Sequence, residues 1–140
     1  MTEHRLSIPG VVEQVPHACS WVVDIVENMG LGARDVNHCE LAVDEAVTNI
    51  IEHGYGTDGP NQIIDILIQE NPDQFTITII DDGPPYDPLH NTDPDPLAAL
   101  EDRPEHGGGW GVFFIKRLMD DVKYKYVANR NHLVMIKQRS

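Results

Sequence analysis

The stretch Glu40-Leu41-Ala42-Val43-Asp44-Glu45-Ala46-Val47-Thr48-Asn49-Ile50-Ile51-Glu52-His53-Gly54 decides how this chain folds and what it can hold. In and just before it, Val36, Cys39, Val43, Ala46, Val47 and Ile50 recur at the three- and four-residue spacing of an amphipathic helix. At about 100° per residue they form one apolar stripe. Glu45 and Asn49 lie off that stripe. Being four apart, they stack on one face with only ~40° between them. Ala42 and His53 prolong this second stripe. With Asp35 as N-cap and Gly54 as the C′ residue, a helix is expected from Asp35 to His53. A solvated face carrying an ordinary Glu and Asn is one reading. A face that aligns a carboxylate, a carboxamide and an imidazole toward a ligand is the other. On this helix alone the plainer reading stands ahead, and the rest of the chain reverses it.

A chain of 140 residues is expected to form one domain, residues 1–140, with enough buried surface to fold without staples. Cys19 and Cys39 fall inside apolar helical patterns, so buried reduced thiols are expected rather than a disulfide or a metal pair. No apolar run approaches ~18 residues and the N-terminus lacks a signal-peptide pattern, which makes a soluble cytoplasmic protein the expectation. The net charge of −13 argues against nucleic-acid or anionic-membrane binding and is compatible with a basic protein partner. It also means that an anionic ligand needs a metal ion or a helix N-terminus to offset the field.

Outward from the central helix, His4 to Ile8 reads as a first strand and Val11 to Met29 as a first helix ended near Gly30-Leu31-Gly32. Gln62 to Gln69 and Gln74 to Ile80, split by Asn71-Pro72-Asp73, read as a β-hairpin. Gly111 to Met119 reads as a third helix. Val122 to Ala128 and His132 to Gln138 form a second hairpin around Asn129-Arg130-Asn131. This order, β-α-α-β-β-loop-α-β-β, suggests a two-layer α/β sandwich: helices over one face of a mixed, mostly antiparallel sheet. The long segment from Asp81 to Gly109, crowded with Pro, Asp and Gly, is either functional or disordered.

Its flanks favour function. Asp81-Asp82-Gly83-Pro84-Pro85-Tyr86-Asp87-Pro88 follows a strand directly. A carboxylate there can accept a hydrogen bond from an exocyclic amine, and Gly83 lets the backbone approach a flat ring. An ordinary turn is the alternative. Gly107-Gly108-Gly109-Trp110-Gly111 precedes the third helix, where glycines expose N–H groups and the dipole favours phosphate. A flexible hinge is the alternative. No G-x-x-x-x-G-K-[ST] sequence is present, and the glycines do not follow the first strand of a β-α-β unit.

Together, Glu45-x-x-x-Asn49, Asp81-x-Gly83 and Gly107-Gly108-Gly109-x-Gly111 resemble the ATP-binding (Bergerat) fold of the DNA gyrase, Hsp90, sensor histidine kinase and MutL group. Within it the chain resembles the small anti-sigma-factor serine/threonine kinases of bacteria. The narrower match rests on Glu45-Ala46-Val47-Thr48-Asn49 with His53-Gly54-Tyr55, on Asp-x-Gly-x-Pro-Tyr-Asp-Pro, and on Val112-Phe113-Phe114-Ile115 with Met119-Asp120. The resemblance implies ATP and Mg²⁺ as cofactors. It implies that Asn49 gives an oxygen to Mg²⁺ and that Glu45 is the catalytic base for an attacking hydroxyl. Asp81 would read the adenine amine, with Gly83 leaving room for the base and Tyr86 in the nucleotide site; His53, on the Glu45 stripe, lines the pocket or caps the helix end. Gly107, Gly108, Gly109, Gly111 and Val112 would wrap the phosphates with Trp110, in a lid over residues 83–109. The implied partners are a sigma factor and an anti-anti-sigma (STAS-type) acceptor, and the implied assembly is a homodimer. A non-catalytic, nucleotide-dependent binding switch is the other functional reading. The resemblance departs in three places, the mildest being Val112 where leucine is commoner. Pro85 stands where the wider group often has glycine, and a late-strand threonine near adenine has no clear counterpart, His132 or its neighbours falling at about that place.

Overall fold

The computed structural model describes residues 2–54, 59–90 and 108–139. Strands β1 (Thr2–Gly10), β2 (Gly59–Glu70), β3 (Gln74–Asp81), β4 (Asp121–Val127) and β5 (Arg130–Gln138) form one sheet in the order β1-β2-β3-β5-β4. Helices α1 (Val15–Asn28), α2 (Ala33–Asn49) and α3 (Gly108–Leu118) supply the second layer. The two-layer α/β expectation holds. Every strand pairing among the described residues is antiparallel, so the parallel pair that a mixed sheet needs is not found there.

Period-two alternation builds the sheet's inner face. Ile64, Ile66 and Ile68 of β2, Phe75, Ile77 and Ile79 of β3, and Leu133 and Met135 of β5 are all buried. Helical periodicity supplies the facing stripes: Ala18, Cys19, Val22 and Val26 of α1, and Cys39, Val43, Ala46 and Val47 of α2. Both cysteines are free and buried, as expected. Desolvation is the main cause that pushes each thiol up to about 12, so neither is a reactive thiolate near neutrality.

Several boundaries differ from the sequence reading, each for a local reason. Gly30, at φ +87°, ends α1 as a C′ residue, its N–H donating to the Glu27 carbonyl at 3.0 Å. Helix α2 starts earlier than expected. Gly32 is the cap and accepts from the Val36 N–H at 3.1 Å, which places Asp35 in the first turn rather than at the N-cap. Helix α2 also ends sooner. A π-turn, Ile50–Gly54, replaces its last α-turn, so Gly54 closes that wider turn and is not a C′ residue. Ile50 and Ile51, the first two residues of that turn, are both buried. In the β4–β5 hairpin, Ala128 and Asn129 have φ 55° and 63°, the pair a two-residue type I′ turn needs. Arg130 and Asn131 therefore lie in β5, paired with Val127 and Tyr126, and not in the turn.

Lys137 is the unexpected member of the inner face, only 7% exposed. Its Nζ donates to the Leu118 carbonyl at the end of α3 (2.6 Å) and to His38 Nδ1 (3.4 Å), and lies 3.8 Å from Asp35. One ammonium group thus ties the last turn of α3 to the first turns of α2.

Candidate active site

The alternation that buries Phe75, Ile77 and Ile79 carries one step further and turns Asp81, the last residue of β3, toward the helical layer. On β5 the same logic runs from Met135 through Leu133 to Asn131. Asp81 and Asn131 are directly opposite in the β3–β5 register. Both are buried, at 4% and 5% exposure, where an apolar sheet would place two more isoleucines. From the other layer, Ala46 and Asn49 of α2 and Ile50 of the π-turn face them. With Tyr86, Pro88, Tyr124 and Leu133 these residues enclose a cavity of about 20 Å³. That is room for about one water, so admitting a planar ring requires the Tyr86–Pro88 or Tyr124 walls to move outward.

Asp81 Oδ1 accepts from the Gly83 N–H (2.9 Å) and from Asn131 Nδ2 (3.0 Å). The first bond is an Asx-turn that folds the Asp-x-Gly segment back on the strand end. Burial outweighs these two bonds and pushes the carboxyl above its ordinary value, with Asp82 adding to the rise. Asn131 Nδ2 also lies within bonding distance of the Gly83 and Pro84 carbonyls, and its Oδ1 accepts from the Tyr86 N–H and the Tyr124 hydroxyl. The adjacent residue, Arg130, points to the opposite face. It donates to Asp82 (2.6 Å) and Asp65 (2.8 Å), and Asp65 accepts from Ser7. The start of β5 thus grips the Asp81-Asp82 turn from both sides of the sheet.

On α2, Asn49 is 8% exposed, and its carboxamide, which bonds to no described residue, stands at the cavity wall. Glu45 is half-buried one turn back and does not line the cavity. Burial first, then the like charges of Asp44 and Glu52, pushes its carboxyl above the ordinary value. No group of three or more His, Cys, Asp or Glu with metal-site geometry occurs among the described residues.

Of the residues singled out by sequence, Asn49, Asp81 and Tyr86 share one cavity, and Gly83 is hydrogen-bonded to Asp81. Gly108, Gly109, Trp110, Gly111 and Val112 lie within α3, which begins three residues before the expected Gly111. The glycines there are the first turn of the helix itself, whose N–H groups have no intrahelical acceptors. Gly107 and residues 91–106 of the expected lid lie outside the described residues, as does the His53 side chain. Of the basic residues near the lid, Arg117 stacks on the Phe113 ring, 4.9 Å from its centroid. Asn131 was missed because it read as a turn residue. His132, its neighbour, faces the other side of the sheet. Continuing the alternation Met135, Leu133, Asn131 is the sequence signal that finds it.

A histidine kinase-like ATPase domain model matches residues 8–137. A serine-protein kinase RsbW from Listeria monocytogenes is 30% identical over 124 residues, covering 86% of this chain and 78% of the relative. The chain belongs to the RsbW family of histidine kinase-like ATPase domains. An RsbW from Oceanobacillus iheyensis is 28% identical over 143 residues, covering 94% and 82% of the two chains. An RsbW from Staphylococcus aureus is 29% identical over 123 residues, covering 84% and 76%. In the solved structure of the RsbU and RsbW domains of Rv1364c from Mycobacterium tuberculosis, the fold recurs with TM-score 0.68 at 14% identity. That match covers 98% of this chain and 32% of the solved one. No described helix of this RsbW-family chain is long and apolar enough to cross a membrane.

Proposed function

We propose that this RsbW-family chain is an ATP-dependent protein kinase that transfers the γ-phosphoryl group to a serine or threonine of an anti-anti-sigma, STAS-type partner. In its other complex it sequesters a sigma factor. The observation that carries this reading is the convergence of Asp81 and the unbonded Asn49 amide on one cavity between β3 and α2. The proposal treats the chain as one domain with a lid over residues 83–109, acting as a cytoplasmic homodimer that binds neither nucleic acid nor membrane.

Each role follows from the group's chemistry. Asp81 accepts the adenine amine, with Gly83 giving the ring room and Tyr86 and His53 beside it. The Asn49 oxygen is a hard, buried donor and fits Mg²⁺, which takes few protein ligands. Mg²⁺, when bound, supplies the positive charge that neutralises the phosphates. The N–H groups of Gly107, Gly108, Gly109 and Trp110, which precede the first intrahelical bonds of α3, hold phosphate oxygens, and Gly111 and Val112 complete the turn that presents them, so backbone dipoles offset the chain's acidity. Glu45 takes the proton of the acceptor hydroxyl as its oxygen bonds to the γ-phosphorus and ADP leaves. A carboxyl raised by burial is better matched to that task than an ordinary one.

The test is radiolabelled phosphoryl transfer to a candidate STAS partner. Glu45→Gln is expected to lower transfer by about 10²–10⁴ while leaving Mg-ATP affinity within about threefold. A wild-type protein that binds ATP and a sigma factor but labels no acceptor would establish the binding-switch reading instead.

A further inference from the structure

We propose that Asn131 is the positioning residue that turns Asp81 into a reader of 6-amino purines and so makes the site reject 6-oxo purines. This rests on the nucleotide-binding reading above and deepens it, since a buried carboxylate alone does not fix which of its oxygens meets the base.

The hydrogen bonds determine that choice. Both donors to Asp81, the Gly83 N–H and Asn131 Nδ2, converge on Oδ1. Oδ2 accepts nothing from any described residue. The carboxylate lines the cavity, and its remaining acceptor is open to a donor that enters there, a water or a ligand group. A 6-amino group donates and satisfies it. A 6-oxo group presents an acceptor to an acceptor, in a site too buried for water to screen the repulsion.

Asn131 can do this only as a carboxamide in one orientation. The Tyr86 N–H can only donate, so it must meet Oδ1 of Asn131. The Gly83 and Pro84 carbonyls can only accept, so they must meet Nδ2. The side chain is therefore locked with its N–H groups toward Asp81. The Tyr124 hydroxyl, which donates to the same Oδ1, holds it from the cavity's outer wall. An aspartate at 131 would face Asp81 and two carbonyls with oxygens, and an aliphatic residue would leave Asp81 free to rotate. Positioning by a locked amide predicts a change in selectivity, whereas a merely structural role predicts equal losses for every nucleotide.

The experiment is calorimetric titration of the wild-type chain, Asn131→Ala and Tyr124→Phe with Mg-ATP and Mg-ITP, which differ at C6 in amino against oxo. The wild type is expected to favour ATP by 100-fold or more, on the order expected when a site built for an N–H meets an analogue lacking it. Asn131→Ala is expected to shrink that ratio by about tenfold or more, chiefly through weaker ATP binding. Tyr124→Phe, which removes one hydroxyl and keeps the ring, is expected to shrink it about two- to fivefold. It serves as the deciding variant if Asn131→Ala unfolds. An unchanged ATP/ITP ratio in a folded variant overturns the role of Asn131, whatever happens to absolute affinity. No ATP binding by the wild type overturns the underlying nucleotide reading as well.

Discussion

Replacing Asp81 by asparagine should separate folding from binding in opposite directions. The substitution keeps the shape and keeps an oxygen to accept from Gly83 and Asn131, whose bonds are 2.9 and 3.0 Å. What changes is the second position, where an NH₂ replaces the unpartnered Oδ2. The lost charge-assisted bond to an amino group is worth about 1.5–3 kcal/mol, and two opposed donors leave a buried group unsatisfied for about 1–3 kcal/mol more. The sum corresponds to an ATP affinity lower by about 10²- to 10⁴-fold. Stability should move the other way. Burial raises the Asp81 carboxyl's pKa in the folded chain, so its contribution to stability is fully present below the unfolded value and is lost as pH rises through the folded one. At pH 7 the ionised group therefore works against folding, and Asp81→Asn should unfold about 0.5–2 kcal/mol harder than wild type. That advantage should shrink as pH falls toward the ordinary carboxylate range. Calorimetric titration with Mg-ATP, beside thermal melts at pH 7 and pH 4, reads both effects. Wild-type ATP affinity in a folded Asp81→Asn protein would refute the reasoning, because the carboxylate would then not be what meets the base.

Glu45 acts as its ionised form, so transfer should rise with pH along a limb centred above the ordinary glutamate value. Asp44→Asn, by removing a like charge, should move that limb to lower pH, and a pH–rate profile of the two proteins checks it. Ala128→Gly removes the penalty of a Cβ at φ 55° and should stabilise the chain by about 0.5–1 kcal/mol in urea unfolding, after the added chain entropy of glycine is offset. Gly10→Ala would set a Cβ 2.7 Å from the Gln62 carbonyl oxygen, a backbone atom that cannot swing away. It should cost about 1–3 kcal/mol, seen as a lower urea midpoint at unchanged slope.

The sequence by itself determined the layers and most of the site's membership. The inner faces of β2, β3 and α2 were legible because one period, two or 3.6, holds along each of them. Asn49 and Asp81 stood out as polar residues set beside or at the end of such runs. Boundaries were less legible where a neighbour's geometry decides them: Gly32 rather than Asp35 caps α2, and the helix passes into a π-turn after Asn49. Only the tertiary structure decided that Asn131 stands opposite Asp81. Strands 50 residues apart must first pair in one register before a turn-like Asn becomes a buried clamp. Lys137 is the same case, an ordinary charged strand residue until two helix ends close over it and leave its ammonium the Leu118 carbonyl as partner. Local periodicity fixes which way a side chain points, but what it meets there depends on contacts that no stretch of sequence contains.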